Sequence, residues 1–444
     1  MRGLVALRLA GMMITPTGVS RATVALPVVA FSVATSMLLV VVGGAGEIFR
    51  WTGANVDEYR ALAVTAIALL VVPLVTLASS AARLSARRRD DRLAILRLLG
   101  ARPALVTAVT VLESTAYATA GAVLGVALYA AALPLVGAIV LHGQPLGAGA
   151  LWVGPAAAIG VVAAVAVVSC VSSLVGIRAV VISPLGVKKR TDAPRVRWLR
   201  LVVGAVVVAV GAIVVQAVDL GAGVTVVAGV MAGVIAAMLL VLSLVGPLVV
   251  RIVASADARF ARGPVRLLAA RKMLDDPKGT WRAVGSVALT SFIAVVGGMA
   301  ASLSATLATG DDLVLADDIQ TGVIMTLVIS FVAVGCSVGV NQAAEILDRR
   351  EISISLDRLG VPRSVLERAR YRAVLLPLAI ASVAPAVLGI LLMLPAAGAE
   401  MLSSPQSLAT IATGIGGGIA IVALALAATR PVATSVFRDR RADA

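Results

Sequence analysis

The sequence predicts an all-α polytopic membrane protein with about ten transmembrane helices, and three observations carry that prediction. The 444-residue chain is 60% hydrophobic and only 14% charged, with a mean hydropathy of +1.04. Runs of 18 or more apolar residues recur along its length, each long enough to cross a hydrocarbon core of roughly 30 Å. Aromatic residues make up 3% and strict apolar–polar alternation is absent, which argues against a transmembrane β-barrel.

Taken in order, the spans read 23–45, 61–83, 104–133, 151–177, 201–218, 223–250, 283–307, 321–346, 369–395 and 406–428. The first run is too long for a signal peptide, shows no small-residue cleavage site, and is followed by further spans. With the N-terminus inside, 36 of the 38 Lys and Arg residues fall in six inside segments, and only Arg50 and Arg60 fall outside. That asymmetry predicts an even number of spans with both termini cytoplasmic. It also explains the net charge of +15 without nucleic acid, because the cations are split into clusters flanking the membrane.

Trp51 and Trp152 fall at outer span edges and Trp198 and Trp281 at inner ones, the depth an amphipathic ring prefers. Cys170 and Cys336 lie within spans 4 and 8, so neither a disulfide framework nor a metal knuckle is indicated. Arginine greatly outnumbers lysine in an Ala/Val/Gly-rich chain, a composition that points to a GC-rich bacterial genome. The localisation that follows is a bacterial cytoplasmic (inner) membrane.

Two inside loops echo each other at an offset of 260. "DDRLAILRLLG" (90–100) faces "REISISLDRLG" (350–360), so that Leu96 matches Leu356, Leu99 matches Leu359, Gly100 matches Gly360, and Asp91 faces Glu351. Pro103 and Pro362 follow within three residues of each glycine. A looser echo pairs "ALRLAGMMITPTGVSRA" (6–22) with "AARKMLDDPKGTWRA" (269–283): a basic helix-like start, a proline turn, then an arginine at the membrane edge. Both echoes fit a 4+2+4 arrangement: a first four-helix unit (1–182), a connector holding spans 5 and 6 (183–262), and a second four-helix unit (263–444).

The stretch "ARRRDDRLAILRLLGARP" (86–103) has a cationic first half and an apolar second half, with Leu93, Ile95, Leu96, Leu98 and Leu99 spread around the helical wheel. It is not a surface helix with one apolar stripe. Gly100 suits the left-handed position that ends a helix and Pro103 the first turn of the next. A helix–stop–helix of this kind can act as a stiff lever; the plainer reading is a loop of headgroup-facing arginines.

In form, this stretch under the second span of a four-span unit resembles the signature loop of FtsX-like permeases, the ABC transporter membrane subunits of the MacB and LolC/LolE types. Leu96, Arg97, Leu99, Gly100 and Ala101 match that loop, while Arg92 occupies a usually acidic place. In the second copy Leu356, Leu359 and Gly360 match, Asp357 stands where a base is usual, and Ser353 and Ser355 replace apolar residues. Glu113 is similar to the glutamate of the family's following span. The resemblance implies contact with a cytoplasmic ABC ATPase, in two copies, through the loops carrying Arg92, Leu96, Arg97, Leu99 and Gly100, and Glu351, Leu356, Leu359 and Gly360. Pairing with another permease is open. Single-chain ten-span members carry a large extracellular domain between spans 7 and 8, whereas about 13 residues separate those spans here.

No G-x-x-x-x-G-K-[ST] motif is present, so an ATPase is expected on a partner chain, with no cofactor on this one. His142, the single histidine, lies in an outside loop with no partners for zinc or triad chemistry, and no catalytic constellation emerges. Glu113, ten residues into span 3, is an intramembrane carboxylate that a neighbouring arginine could neutralise. The segment "TGDDLVLADDIQTG" (309–322) reads as a solvated acidic loop that could also attract a cation. Gly121 and Gly125 form a G-x-x-x-G for close helix packing, and Gly416–Gly418 suggest tight packing or a flexible point. The leading expectation is an ABC permease subunit for a hydrophobic or amphipathic substrate. An ion-gradient-driven secondary transporter and a non-transporting mechanical partner of an ATPase are the alternatives.

Overall fold

The computed structural model describes residues 21–53, 55–87, 103–181, 199–217, 224–308, 312–348, 355–356, 359–397 and 405–429. The helices are α1 (Arg21–Arg50), α2 (Val56–Arg87), α3 (Pro103–Gly137), α4 (Gly154–Val181), α5 (Leu199–Ala217), α6 (Val224–Arg259), α7 (Pro264–Asp275), α8 (Pro277–Leu307), α9 (Asp312–Asp348), α10 (Arg363–Ala397) and α11 (Pro405–Ala428). Between α3 and α4 a two-residue hairpin pairs β1 (Val140–Leu141) with β2 (Gln144–Pro145) in antiparallel register. The protein is thus an all-α polytopic membrane protein. Among the described residues nine helices are long and apolar enough to cross a membrane, and α5 carries a shorter apolar stretch, Leu201–Ala217, at the fifth predicted span.

Helices outrun the apolar spans at their polar ends. α9 begins at Asp312, where the sequence suggested a loop to 322, and α6 runs on to Arg259, past the predicted span end at 250. Hydropathy marks only the part of a helix that needs lipid, whereas backbone hydrogen bonding continues into water. The helix-like start read before span 7 is α7. Gly263 is its N-cap and Pro264 its first residue, and Asp276 then caps α8 by accepting from the Gly279 N–H at 2.8 Å, with Pro277 following.

The described residues of 1–46, 77–138 and 147–195 form one compact unit, and those of 47–76, 139–146 and 196–444 a second. In the first, α1 and α3 meet through the predicted G-x-x-x-G. A Cβ on Gly121 would stand 2.6 Å from Phe31 Cβ, and one on Gly125 would stand 2.7 Å from Ser32 O. Backbones can approach this closely only because the side chains are absent. α3 and α4 are joined by the Ser114–Ser173 hydroxyl pair at 2.6 Å. At the other end of α3 the Tyr129 hydroxyl donates to Leu151 O and accepts from the Val153 N–H at 3.2 Å, and its ring stacks on Trp152.

In the second unit α8 is the central helix: 89% of its apolar window is buried, against α6, α9, α10 and α11. Its neighbours reach it through small residues. Gly298 faces Thr410, Gly389 faces Val295, and Gly418 faces Val287, so a side chain at any of these would press on its neighbour. Of the consecutive glycines Gly416–Gly418 in span 10, Gly417 and Gly418 make tight contacts, Gly417 against the Phe331 ring, while Gly416 faces open space. Trp281, which the sequence places at an inner span edge, is buried against Gly246 and Gly285.

Candidate functional site

The second of the two echoing loops lies partly within the described residues, and there the stop and the helix that follows it are visible. The Leu359 N–H donates to Ser355 O and the Val361 N–H to Leu356 O, both at 3.1 Å. The second is the 6→1 bond of a Schellman closure, and Gly360 supplies its left-handed residue at φ +81°. Nothing would touch a Cβ at Gly360, so the backbone rather than space demands glycine there. Pro362 opens the next helix, accepting from the Val365 N–H at 2.9 Å and the Leu366 N–H at 3.3 Å. Leu356 is half-buried, whereas Leu359 is 79% exposed, an unusual outlay of apolar surface on a tight turn.

The turn leads directly into α10, and nine residues into that helix Arg372 meets a buried carboxylate. Asp257, in the last turns of α6, is 5% exposed. It accepts from Arg372 Nη2 at 2.9 Å and Arg372 Nε at 3.3 Å, and from Arg266 Nε of α7 at 2.5 Å. One anion therefore ties three helices. Two guanidinium groups offset the cost of its burial, and each is still about two-fifths exposed. Beneath it Ala254 of α6, Ala269, Ala270 and Met273 of α7 and Ala373 of α10 make a small dry cluster. Lys272 of α7 reaches Glu345 of α9 at 2.9 Å, and Arg370 of α10 donates to the Thr429 hydroxyl, just past α11, at 2.7 Å. The start of α10 is thus bonded to Asp257 of α6, which also holds Arg266 of α7, and to Thr429 just past α11.

Sequence reasoning singled out Leu356, Leu359 and Gly360 but missed the Asp257 hub. The available signal was one acid inside "RIVASADARFAR", a run otherwise basic at its ends. Arg92, Leu96, Arg97, Leu99, Gly100 and Glu351 lie outside the described residues; Pro103 is, as expected, the first residue of α3. Glu113 is half-buried on α3 and accepts from the Tyr117 hydroxyl one turn on, at 3.2 Å, with no ion pair to a described residue.

At the predicted outer side a second cluster appears. Asp318 is 6% exposed and accepts from the Tyr59 hydroxyl at 2.5 Å and the His142 backbone N–H at 2.8 Å. The rings of Trp51, Tyr59 and His142 lie 5.2–5.6 Å apart. Of the acids expected to be solvated in 309–322, Asp317 is exposed, but Asp318 is committed to this packing. Residues 259 positions apart leave no trace of such a contact in sequence. Among the described residues no group of three or more His, Cys, Asp or Glu side chains could hold a metal ion.

A family model described as FtsX-like permease C-terminal matches residues 62–182. The match runs from the first turns of α2 through the stretch at 86–103 and α3 to the end of α4. No curated protein matches the chain. Residues 62–182 are therefore similar to an FtsX-like permease domain, and the apolar helices mark a multi-pass membrane protein. Such a domain implies the membrane subunit of an ABC transporter, of a kind that normally works with a cytoplasmic ABC ATPase.

Proposed function

We propose that this chain couples ATP hydrolysis by a separate cytoplasmic ABC ATPase, bound in two copies, to movement of a hydrophobic or amphipathic substrate. The movement is export, or extraction from the outer leaflet. The observation that carries this reading is the FtsX-like permease domain at 62–182, because it encloses the loop that the sequence marks as a lever. The second copy of that lever, at 355–362, supports it: a rigid turn presents Leu359 to solvent and feeds straight into α10. Closure of an ATPase pair would press on these turns, and the Asp257–Arg266–Arg372 ties would pass the displacement of α10 to α6 and α7. The hydrolytic chemistry belongs to the partner, and the work of this chain is mechanical.

The test is purification of the tagged full-length chain from its native membranes in mild detergent. The expected result is a co-purifying polypeptide with a Walker A motif and vanadate-sensitive MgATP hydrolysis. A preparation free of any such polypeptide, yet transporting in vesicles without ATP, would overturn the reading.

A further inference from the structure

The turn after α6 and the outward flank of α7 carry a surface that the coupling role does not use. α7 is fixed by its buried face, Ala269, Ala270 and Met273. At 100° per residue, Leu267 and Leu274 lie about 20° apart on one flank, with Arg271 about 40° beyond Leu267 toward solvent. Phe260, just past the last turn of α6, is 64% exposed and Leu267 is 44% exposed.

The charges around these side chains do not balance. Arg266 and Arg372 share Asp257, Lys272 takes Glu345, and Arg282 takes Asp276 at 3.9 Å. Arg259, Arg262, Arg271 and Lys278 remain exposed, with no ion-pair or hydrogen-bond partner among the described residues. Four cations without a partner among the described residues, beside one further exposed acid, Asp275, are thus set among exposed Phe260 and Leu267, between the last residue of α6 and Trp281 of α8. The apolar run of α6 ends at Arg259 and that of α8 begins at Pro277, so Phe260 and α7 lie in the chain segment joining the same ends of two apolar runs.

We propose that this surface, Arg259–Arg262 with the Leu267/Arg271 flank of α7 and Lys278, binds acidic phospholipid headgroups of the inner leaflet. Cations and embedded apolar side chains at one depth are the combination that an anionic interface rewards, through Coulomb attraction and through shallow burial of Phe260 and Leu267. A peptide helix that folds on the membrane must also offset its own ordering. α7 is already held against α6 and α10, so that cost does not fall on binding. The inference goes beyond the proposed ATPase coupling and does not depend on it.

The test uses the full-length chain alone, reconstituted in dioleoylphosphatidylcholine vesicles with a trace of spin-labelled phosphatidylglycerol or spin-labelled phosphatidylcholine. The motionally restricted fraction of each label is then measured. The wild-type chain is expected to prefer phosphatidylglycerol by about fivefold or more, since one effective cation contributes about that factor, and the preference should shrink as salt is raised. The variant Arg259→Gln/Arg262→Gln/Arg271→Gln/Lys278→Gln removes only exposed cations that pair with no described residue, so its fold should be kept and its preference should approach unity. A control variant, Arg430→Gln/Arg438→Gln/Arg440→Gln/Arg441→Gln, should keep the preference. Equal association of both labels with the wild-type chain, as expected for a surface meant for a protein partner, would overturn the proposal. So would an undiminished preference in the first variant, or its loss in the control instead.

Discussion

Asp257 shows how one residue can matter more than its charge suggests. A carboxylate at 5% exposure survives in this fold because two guanidinium groups from different helices complete it. Removing it by Asp257→Ala leaves both arginines without their acceptor, but each can turn toward water, which limits the penalty to about 2 kcal/mol. Thermal unfolding in detergent should show that loss, and Arg372→Met combined with it should cost clearly less than the two single changes added. Full additivity would mean that the two side chains are not coupled. Nothing in the periodicity of α6 marks Asp257, because an acid near a span end looks like any other polar terminus. Gly360, by contrast, could be read directly: a glycine three or fewer residues before a proline after a helical run predicts the left-handed stop observed at φ +81°.

At the scale of elements, each predicted apolar run falls on a described helix, nine of them long and apolar enough to cross a membrane and the fifth on the shorter stretch of α5, because crossing a hydrocarbon core leaves few other solutions. The runs did not give helix ends. α9 starts nine residues before its predicted span, and the polar turn it adds carries Asp318 to Tyr59 and His142. The α1–α3 contact was legible because G-x-x-x-G encodes a close approach on a single helix face. That contact is testable against an internal control. Gly125→Leu on α3 places a side chain where Ser32 O and Thr35 Cβ of α1 already stand at 2.7 Å, whereas Gly44 on α1 has nothing within 4 Å. Gly125→Leu should lower stability by about 1–3 kcal/mol and Gly44→Ala should leave unfolding nearly unchanged. Equal melting of the two variants would mean that the stripe does not set the packing.

For the whole molecule, the permease reading joins two levels that the sequence connects only in part. The two echoing loops were singled out because the predicted spans put each between the second and third span of a half, and the match over 62–182 includes the first of them. What pattern could not supply is the linkage behind the second copy, where Arg372, Arg370, Lys272 and their partners on α6, α9 and the end of α11 lie far apart in the chain. Long-range ties of single charged residues carry no period. The measurement that tests the central claim most directly is MgATP hydrolysis by the reconstituted complex of this chain with its co-purifying ATPase. Wild type is compared with Arg92→Glu/Arg97→Glu/Gly100→Pro. The account predicts that the permease alters the hydrolysis rate of the ATPase, and that the triple variant, still inserted in the membrane, loses that effect. Full coupling in the triple variant would contradict it.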